Sequence, residues 1–370
     1  MTHPTAVCPP LSTSTIRLPT TMGLDISDQV SHYLVQRGDG AKLATGKVKM
    51  TREHLRALFK GYVGCRLVIE AGGHSPWVSR LAAECGMEVV VANSRKVELI
   101  SKNERKNDRV DAQLLTELGR THPALLSPIT HRSERAQTDR SVLRARDELV
   151  RARTGLVNHV RGVLKSNGHR APNSATSAFV RKSSMTIPDD LRPSLDPVLE
   201  VITSISKRIE RMDEQIERLC SERYPTTQLL RQIKGVGPIV ALSFVLTIDD
   251  PKRFRSARDV GAYLGLVPRK KSSGKCDPQM RITKAGDRDM RRLLVNAAAY
   301  VLGHFGPDCD LRRFGQRVVG ASANKNARKR ARVAVARKLA VLMHHLWRTG
   351  EVYDPLYLAK SRGELAGMAP

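Results

Sequence analysis

The amino-terminal part of the chain alternates short apolar runs with polar segments, a pattern that predicts the strands and helices of a mixed α/β domain. Three strands come first, and helices and strands then alternate, which is the element order of an α/β fold. The predicted strands are 21–25, 30–36, 41–50, 66–69 and 87–91, and the predicted helices are 52–59, 76–85 and 107–118. In the last helix Asn107 is the expected N-cap, and Val110, Leu114 and Leu118 form the expected core stripe.

The middle of the chain is predicted to form two long helices. One is basic and covers 130–168, and the other runs from Pro197 to Glu222, with 169–195 expected as a loop or linker. Apolar residues in the second helix alternate spacings of three and four, which makes an a/d seam. Its members are Ile202, Ile205, Ile209, Met212, Ile216 and Leu219. The seam fits an antiparallel hairpin with the 130–168 helix and a coiled coil between subunits equally well.

The remaining residues predict a separate helical module. A hairpin containing Gly235 and Gly237 joins two short helices, and the backbone N–H groups at the start of the second can bind a phosphate without reading base sequence. A polar, basic loop covers 270–275 and leads towards an amphipathic helix that ends near Leu302. A strongly basic helix follows over 325–338, and an apolar face continues it to Trp347.

These patterns divide the chain into five parts. We expect a disordered segment over 1–21, an α/β domain over 22–125, a helical linker domain over 126–225, a helical module over 226–350 and a tail over 351–370. Met22 directly precedes the first predicted strand and is a candidate for the natural start of translation.

The charge balance points to nucleic acid as the partner. Lysine and arginine outnumber aspartate and glutamate by 63 to 36 in 370 residues, a formal net charge of +27. A membrane is the weaker alternative, because no apolar run reaches the ~18 residues of a spanning helix. The basic helix 325–338 and the arginine-rich stretch 132–161 are the expected phosphate-contacting surfaces. Aromatic residues are only 4% of the chain, which favours duplex and backbone contacts over base-stacking platforms.

The cysteines indicate neither a zinc site nor a disulfide framework. All six are scattered, and no pair has the spacing of a zinc-binding motif. Residues 1–20 lack the apolar segment of a signal peptide. A reducing cytoplasm is therefore the expected location.

Four carboxylates stand out against the positive charge of the chain. Asp25 ends the first predicted strand, and Glu70 directly follows the fourth. Asp108 and Asp111 are three residues apart at a helix start, a spacing that places them on one face. Singly, each is an ordinary strand-end or first-turn acid. As a set they predict a Mg²⁺ (or Mn²⁺) site, because clustered carboxylates repel one another without a cation. This site indicates a metal-dependent nuclease or recombinase.

The order and spacing of several motifs resemble the DEDD transposases of the insertion-sequence 110 family, from residue 22 through nearly the whole chain. The matching segments are Gly23-Leu24-Asp25-Ile26-Ser27, Val68-Ile69-Glu70-Ala71, Lys106 to Ala112, Gly235-Val236-Gly237-Pro238, Leu264 to Arg269, Ser273-Gly274, Arg281 to Lys284, and Ala334 to Ala340. Two departures are visible. Asn107 replaces the threonine that is usual before the first helix acid, and the segment 275–280 is less typical of the family.

The resemblance implies a fold and an activity. The fold would be an α/β RNase H-like amino-terminal domain similar to the RuvC resolvase, followed by long helices that form a coiled coil and a mainly α-helical transposase domain. The activity would be cleavage and exchange of DNA strands between insertion-sequence ends and a target. Ser273, with Ser272 as the runner-up, would be the nucleophile that forms a covalent phosphoserine linkage, and metal held by the four acids would stabilise charge on the phosphate.

The resemblance also implies partners. These are DNA, a structured guide RNA encoded by the element, and further copies of the chain in a dimer or tetramer, in the bacterial cytoplasm near the nucleoid. The residues expected to contact nucleic acid are Lys106, Arg109, Gly235, Gly237, Arg269, Lys271, Lys275, Lys284, Arg291, Arg292, Arg328, Lys329 and Arg330.

Two other functions remain open from the sequence. A junction resolvase or nuclease would use water and form no covalent intermediate. A non-catalytic nucleic-acid scaffold would carry the acids as structural residues. Metal-dependent cleavage that is lost on Glu70→Ala would exclude the scaffold.

Overall fold

The computed structural model describes residues 18–94, 108–269, 280–321 and 324–362. The chain divides into two compact units, Met1–His131 and Arg132–Pro370. Most of the segment expected to be disordered lies outside the described residues, but Thr21 is already the first residue of a strand and is fully buried. None of the described helices is long and apolar enough to cross a membrane.

The first unit is a five-stranded mixed sheet with helices, as the sequence predicts. The strands are β1 (Thr21–Asp25), β2 (Val30–Gln36), β3 (Lys42–Lys49), β4 (Arg66–Glu70) and β5 (Glu88–Ala92). Their order is β3-β2-β1-β4-β5. The first three strands are antiparallel, whereas β4 runs parallel to β1 and β5 runs parallel to β4. Both β1 and β4 therefore have their carboxyl ends at the same edge of the sheet.

Helices cover both faces of this sheet. They are α1 (Arg52–Lys60), α2 (Ser75–Glu84) and α3 (Asp108–Thr121), and a 3₁₀ turn follows over Pro123–Leu126. On one face Leu55 and Phe59 of α1 and Leu81 of α2 pack with Leu24 and Ile69 of the sheet. On the other face α3 contributes Leu115 to a second cluster with Val68, Val90 and Leu126. The sheet is thus buried on both sides, as parallel strands require.

The buried stripe of α3 differs from the expected one. Val110, Leu114 and Leu118 are only half-buried. The residues that face the sheet are Asp111, Ala112, Leu115, Thr116 and Gly119. Ala112, Thr116 and Gly119 are small because the helix lies directly on the strands at these positions, whereas Leu115 packs with Val68 and Val90. The hydrophobic pattern predicted the position of the helix correctly, but it placed the buried face about one residue away from the observed one.

Gly23 and Thr116 form the closest approach of α3 to the sheet. A Cβ atom at Gly23 would lie 2.3 Å from the Ala112 carbonyl oxygen and 2.3 Å from Thr116 Oγ1. The Gly23 N–H donates to Thr116 Oγ1 at 3.0 Å, and that hydroxyl donates to the Ala112 carbonyl at 2.7 Å. A hydroxyl therefore joins the helix to the backbone of β1 where no side chain has room.

The second unit begins with a pair of long antiparallel helices, α4 (Glu134–Ser166) and α6 (Arg192–Arg218), with α5 (Thr176–Ser184) between them. The predicted loop over 169–195 thus contains a helix, and α6 starts before the expected Pro197. Pro193 occupies the first turn of α6, where proline is tolerated, whereas Pro197 lies inside the helix. A π-helical turn, Leu219–Arg223, ends α6.

The a/d seam of α6 packs partly within the unit. Ile202 shares a core with Val160 and Leu164 of α4, and Ile216 packs with Leu143. Ile209 is also buried, whereas Ile205 and Met212 are half-buried. The hairpin alternative accounts for the buried positions, and the coiled coil between subunits stays a prediction.

The rest of the second unit is a helical cluster around one long central helix. Its helices are α7 (Thr226–Arg231), α8 (Pro238–Ile248), α9 (Ala257–Tyr263), α10 (Arg288–Val301), α11 (Asp310–Val319), α12 (Lys325–Thr349) and α13 (Tyr357–Ser361). Val335, Leu339 and Met343 of α12 are fully buried in the core that these helices share. The basic first half of α12 therefore also has an apolar side, which fixes the helix in place.

We predict that Gly23→Ala destabilises the first unit by about 1–3 kcal/mol, because the added methyl group must push α3 away from β1. The urea midpoint of the full chain, followed by a probe of the first unit, measures this loss. Gly73→Ala is the matched control, since a Cβ atom there would meet nothing within 4 Å. Equal midpoints for the two variants would contradict the close packing of α3.

Candidate functional site

Asp25 and Glu70 are the last residues of two neighbouring parallel strands, β1 and β4. The strands pair with Leu24 opposite Ile69, so the register places the two acids side by side at the carboxyl edge of the sheet. Adjacent strands lie ~4.8 Å apart. Both acids are partly exposed. The sheet therefore brings together two of the four predicted acids.

Both side chains project towards the face that α3 covers. Gly23 meets α3, and strand alternation gives Asp25 the same direction. Val68 likewise meets α3, because a Cβ atom at Gly119 would lie 2.2 Å from Val68 Cγ2. Glu70, two residues after Val68, shares that face.

The direction of α3 brings its first turn to the same edge. Arg66, at the start of β4, donates from Nη1 to the Gly119 carbonyl at 2.9 Å. The carboxyl end of α3 therefore lies at the amino-terminal end of β4, and its first turn lies towards the carboxyl ends of β1 and β4. Asp111 in this turn is only 5% exposed. Asp108 is the first residue of α3, and its side chain lies outside the described residues.

The described carboxylates offer oxygen ligands of the kind that Mg²⁺ prefers. Among the described side chains, no three histidine, cysteine, aspartate or glutamate residues are grouped closely enough to hold a metal ion. Asp25 and Glu70 nonetheless share one edge and one face, and the buried Asp111 enters from the helix above them. The chemistry and direction of the donors fit a hard divalent cation.

His74, Asp28 and Trp77 form a hydrogen-bonded link beside this edge that sequence reasoning missed. Trp77 Nε1 donates to His74 Nδ1 at 3.0 Å, and His74 Nε2 lies 3.1 Å from Asp28 Oδ1. Because Nδ1 accepts, Nε2 of a neutral ring carries the proton and donates to Asp28. The link joins the loop after Asp25 to the loop after Glu70. The sequence indicates part of this link, because His74 and Trp77 are three residues apart, about one helical turn, and can therefore contact each other.

Ser273, the predicted nucleophile, lies outside the described residues, as do Ser272, Lys271, Lys275 and Lys106. The structure does describe both ends of the predicted serine loop. The Arg269 N–H donates to the Arg281 carbonyl at 2.9 Å, and the Thr283 N–H donates to the Val267 carbonyl at 2.9 Å. Residues on either side of the loop are thus paired as a short antiparallel ladder, with Pro268 opposite Ile282.

Gly265 and Arg291 connect this ladder to α10. Gly265 has φ +68°, and a Cβ atom there would lie 2.1 Å from the Ala285 carbonyl oxygen. Arg291 Nη1 donates to the Leu264 carbonyl at 3.1 Å and to the Ala285 carbonyl at 2.6 Å. Arg291, predicted to contact nucleic acid, therefore uses part of its guanidinium to hold the backbone. Lys284 and Arg269 are exposed.

The glycine hairpin before α8 has the predicted form. Gly235 has φ +94°, which favours glycine, and Gly237 precedes α8 as its N-cap. None of the described side chains caps α8, so the N–H groups of its first turn are available to an anion. They open on a cleft of about 280 Å³. The arginines that line the cleft are Arg140, Arg144, Arg146 and Arg292.

Most of these arginines also hold the unit together. Arg146 pairs with Asp213 at 2.6 Å, and Arg292 pairs with Asp147 at 2.7 Å. Arg144 is exposed, and the described residues give it no ion pair. The cleft thus combines fixed cations with one that is available to a ligand.

The first half of α12 presents cations to solvent. Arg328, Lys329 and Arg330 are exposed, and none forms an ion pair within the described part of the chain. Lys325 and Arg332 extend the series, so that 325, 328, 329 and 332 fall on one helix face. This face fits a polyanion better than a protein core.

Two family models match the chain. A model described as a transposase, of DEDD type, matches residues 22–167, and a model of the transposase IS116/IS110/IS902 family matches residues 227–312. A relative from Pseudomonas aeruginosa described as "Probable family 20 transposase" is 30% identical over 83% of this chain and 94% of its own length. The chain belongs to the IS110 family of transposases. The first match contains all four predicted acids, and the second contains the hairpin and the serine loop.

Other relatives of this IS110-family chain carry insertion-sequence names. The transposase for insertion sequence element IS1111A of Coxiella burnetii is 29% identical over 90% of each chain. The transposase for IS1328 of Yersinia enterocolitica is 29% identical over 75% of this chain and 83% of its own length. The similarity covers both units of the transposase.

Asp287, the N-cap of α10 in this transposase, is a largely buried charge with three partners among the described residues. It caps α10 by accepting from the Met290 N–H at 2.8 Å, and it contacts Arg140 directly, with Arg132 at 3.8 Å. The side chains of Asp287 and Arg140 are each 10% exposed. Burial raises the pKa of Asp287, but the Met290 N–H and the two arginines outweigh it and hold the pKa below its usual value.

We predict that Asp287→Asn lowers the free energy of unfolding at neutral pH by roughly 3–5 kcal/mol, because Arg140 loses its buried partner. Asparagine still caps the helix, so the charge is what is removed. A depressed carboxylate pKa stabilises the fold above the unfolded value of about 3.9, and the contribution is lost as pH falls through the folded pKa. Wild type therefore loses this stability in acid, whereas the variant has none to lose.

Asp308→Asn is the matched control for this prediction. Asp308 also pairs with an arginine, Arg313, at 2.6 Å, but it is exposed. Its removal is expected to cost at most about 1 kcal/mol. Chemical denaturation across pH 3 to 8 compares the variants, and equal losses would refute a special role for the Asp287 contact.

Proposed function

We propose that this transposase cleaves and exchanges DNA strands between insertion-sequence ends and a target, using an RNase H-like first unit with a divalent metal site. The supporting observation is the arrangement of the acids. Asp25 and Glu70 end adjacent parallel strands on one face, and the helix that begins with Asp108 buries Asp111 at the same edge. Membership of the IS110 family supplies the reaction class.

Asp25, Glu70, Asp108 and Asp111 would hold Mg²⁺ or Mn²⁺. The bound cation supplies Lewis-acid activation of a phosphate and offsets charge that develops on its oxygens. Burial of Asp111 lowers the local dielectric, which strengthens the hold of its carboxylate on a cation. The His74–Asp28 contact would keep the loops that follow Asp25 and Glu70 at a constant separation.

Ser273 would act as the nucleophile, with Ser272 as the alternative. Its Oγ would attack a DNA phosphorus atom, form an Oγ–P bond and displace a deoxyribose oxygen, which takes up a proton. A hydroxyl of the receiving strand would then displace the serine. The ladder around Arg269 and Arg281 supports this role, because it ties the ends of the serine loop to the rigid start of α10. Arg269, Lys271 and Lys275 would attract the phosphate.

Phosphate contacts would come from several surfaces of the second unit. The hairpin at Gly235 and Gly237, the cleft arginines including Arg292, and Lys284 each present donors without reading base identity. Arg328, Lys329 and Arg330 of α12 add a cationic face. Arg109 is exposed in the first turn of α3 and would act beside the acids, together with Lys106.

We predict that Asp25→Asn abolishes cleavage of insertion-sequence-end DNA and that Ser273→Ala abolishes the covalent protein–DNA adduct. Each removes one chemical group: a metal ligand in the first case and the attacking oxygen in the second. Labelled DNA is incubated with Mg²⁺, and denaturing gels separate nicked DNA from protein-linked DNA. Both variants should unfold like wild type.

Ser272→Ala is the control for the serine, since it keeps the loop and its charges. An adduct that persists in Ser273→Ala but is lost in Ser272→Ala would move the nucleophile by one residue. If wild type and both serine variants cleave DNA without forming an adduct, a resolvase-like nuclease that uses water is favoured. Cleavage that survives Asp25→Asn and Glu70→Gln would reject the metal site.

A structured RNA encoded by the element would guide the reaction, and the transposase would act as a dimer or tetramer. Resemblance to guided members of the family and the net charge of +27 support the RNA partner. Half-buried Ile205 and Met212 leave part of the α6 seam for a second subunit.

We predict that the transposase, purified from cells that carry its complete element, retains one discrete RNA species after a high-salt wash. We expect retention because a structured RNA forms many phosphate contacts with the transposase at once. Sequencing of the bound nucleic acid identifies the species. Recovery of random DNA and RNA alone would count against guidance and leave the cleavage proposal standing.

A further inference from the structure

We propose that Phe305 is a base-stacking residue, which receives an unpaired DNA base next to the glycine hairpin. The inference rests on the proposed function, because strand exchange exposes unpaired DNA. The low aromatic content argued against a stacking platform across the chain as a whole. Among the described phenylalanine, tyrosine and tryptophan side chains, the most exposed is that of Phe305, in the turn Gly303–Gly306 between α10 and α11.

The side chain of Phe305 is exposed to solvent, in contrast to those of all the other phenylalanines. The chain has six phenylalanines, all described, and Phe305 is 82% exposed while the other five are buried or half-buried. Two more rings accompany it. His304 meets its edge with ring centroids 5.2 Å apart, and Tyr300 is 46% exposed. Such a group of solvent-facing rings suits the π-face of a base.

Arg312 holds the turn that displays Phe305. Its Nη1 donates to three carbonyls, those of Val301 at 2.9 Å, Gly303 at 2.7 Å and Gly306 at 2.9 Å. A Cβ atom at Gly306 would lie 2.1 Å from the Val301 carbonyl oxygen, so the turn closes tightly. The backbone of the turn is therefore braced in the conformation that exposes Phe305.

Tyr300 connects this turn to the hairpin. A Cβ atom at Gly235 would lie 2.9 Å from Tyr300 Cδ1 and 3.3 Å from the Ala297 carbonyl, so the hairpin backbone rests on α10. The Gly303 N–H donates to the Tyr300 carbonyl at 3.0 Å, which joins α10 to the turn. Phosphate donors and aromatic rings thus lie along one stretch of surface. A nucleotide could contact both, since its phosphate accepts hydrogen bonds and its base stacks on aromatic rings.

The charge around the turn favours a nucleic acid. Lys234 in the hairpin is exposed, and the described residues give it no ion pair. Asp308 is the acid beside the turn, and Arg313 neutralises it with contacts of 2.6 to 3.1 Å. An acidic surface would repel DNA, whereas this one is neutral to cationic. Single-stranded DNA is the occupant that matches both the rings and the charge.

The test measures binding of a mixed-sequence single-stranded DNA in the Asp25→Asn background, so that it does not depend on cleavage. Phe305→Ala should weaken binding by about 5- to 150-fold, the equivalent of one stacked base. Phe305→Trp should restore it. The slope of affinity against salt should not change, because no phosphate contact is removed. With 5-iododeoxyuridine in the DNA, ultraviolet cross-links should map to residues 300–305.

Met185→Ala is the control, since Met185 is 81% exposed but lies far along the chain from the turn. Unchanged DNA affinity in Phe305→Ala would overturn the proposal, as would an effect confined to RNA of the same sequence. A change in sedimentation coefficient with normal DNA binding would assign Phe305 to a subunit contact instead. If DNA affinity depends on Phe305 but the wild-type protein cleaves no DNA, this inference stands and only the proposed function is rejected.

Discussion

The contact between Gly23 and the Ala112–Thr116 turn is the constraint on which the first unit depends. The absence of a side chain at Gly23 lets α3 lie directly on β1, and the Thr116 hydroxyl replaces apolar packing with a hydrogen bond to the strand. The same close approach decides which face of α3 is buried. Asp111 is taken inside because it precedes Ala112 on that face, and it arrives at the edge where Asp25 and Glu70 end their strands.

Polar cross-links take the equivalent role in the second unit. The ends of the serine loop are paired through Arg269 and Arg281, and Arg291 ties that ladder to α10. Asp287 then anchors the start of α10 to Arg140 of α4. These arginines have structural partners, which distinguishes them from the exposed cations of α12. A count of basic residues alone does not separate the two kinds.

The predicted elements that failed did so for physical reasons. Residues 169–195 are rich in serine and proline, but α5 forms there because Phe179 packs against the long helices. Pro197 does not start α6, because Pro193 already occupies the first turn of a helix that begins at Arg192. The predicted core stripe of α3 was wrong because helical periodicity alone favours large apolar residues, whereas the closest contacts with the sheet, at Ala112, Thr116 and Gly119, require small ones.

The sequence by itself determined the five strands, most of the helices and the family, and it proposed the four acids, because these depend on local periodicity, turn residues and motif order. Only the tertiary structure decided which side chains meet. Strand register placed Asp25 beside Glu70, and the direction of α3 brought Asp111 to them. The link through His74 and the exposure of Phe305 were equally hidden, because burial and hydrogen bonding between distant segments leave no period in the chain.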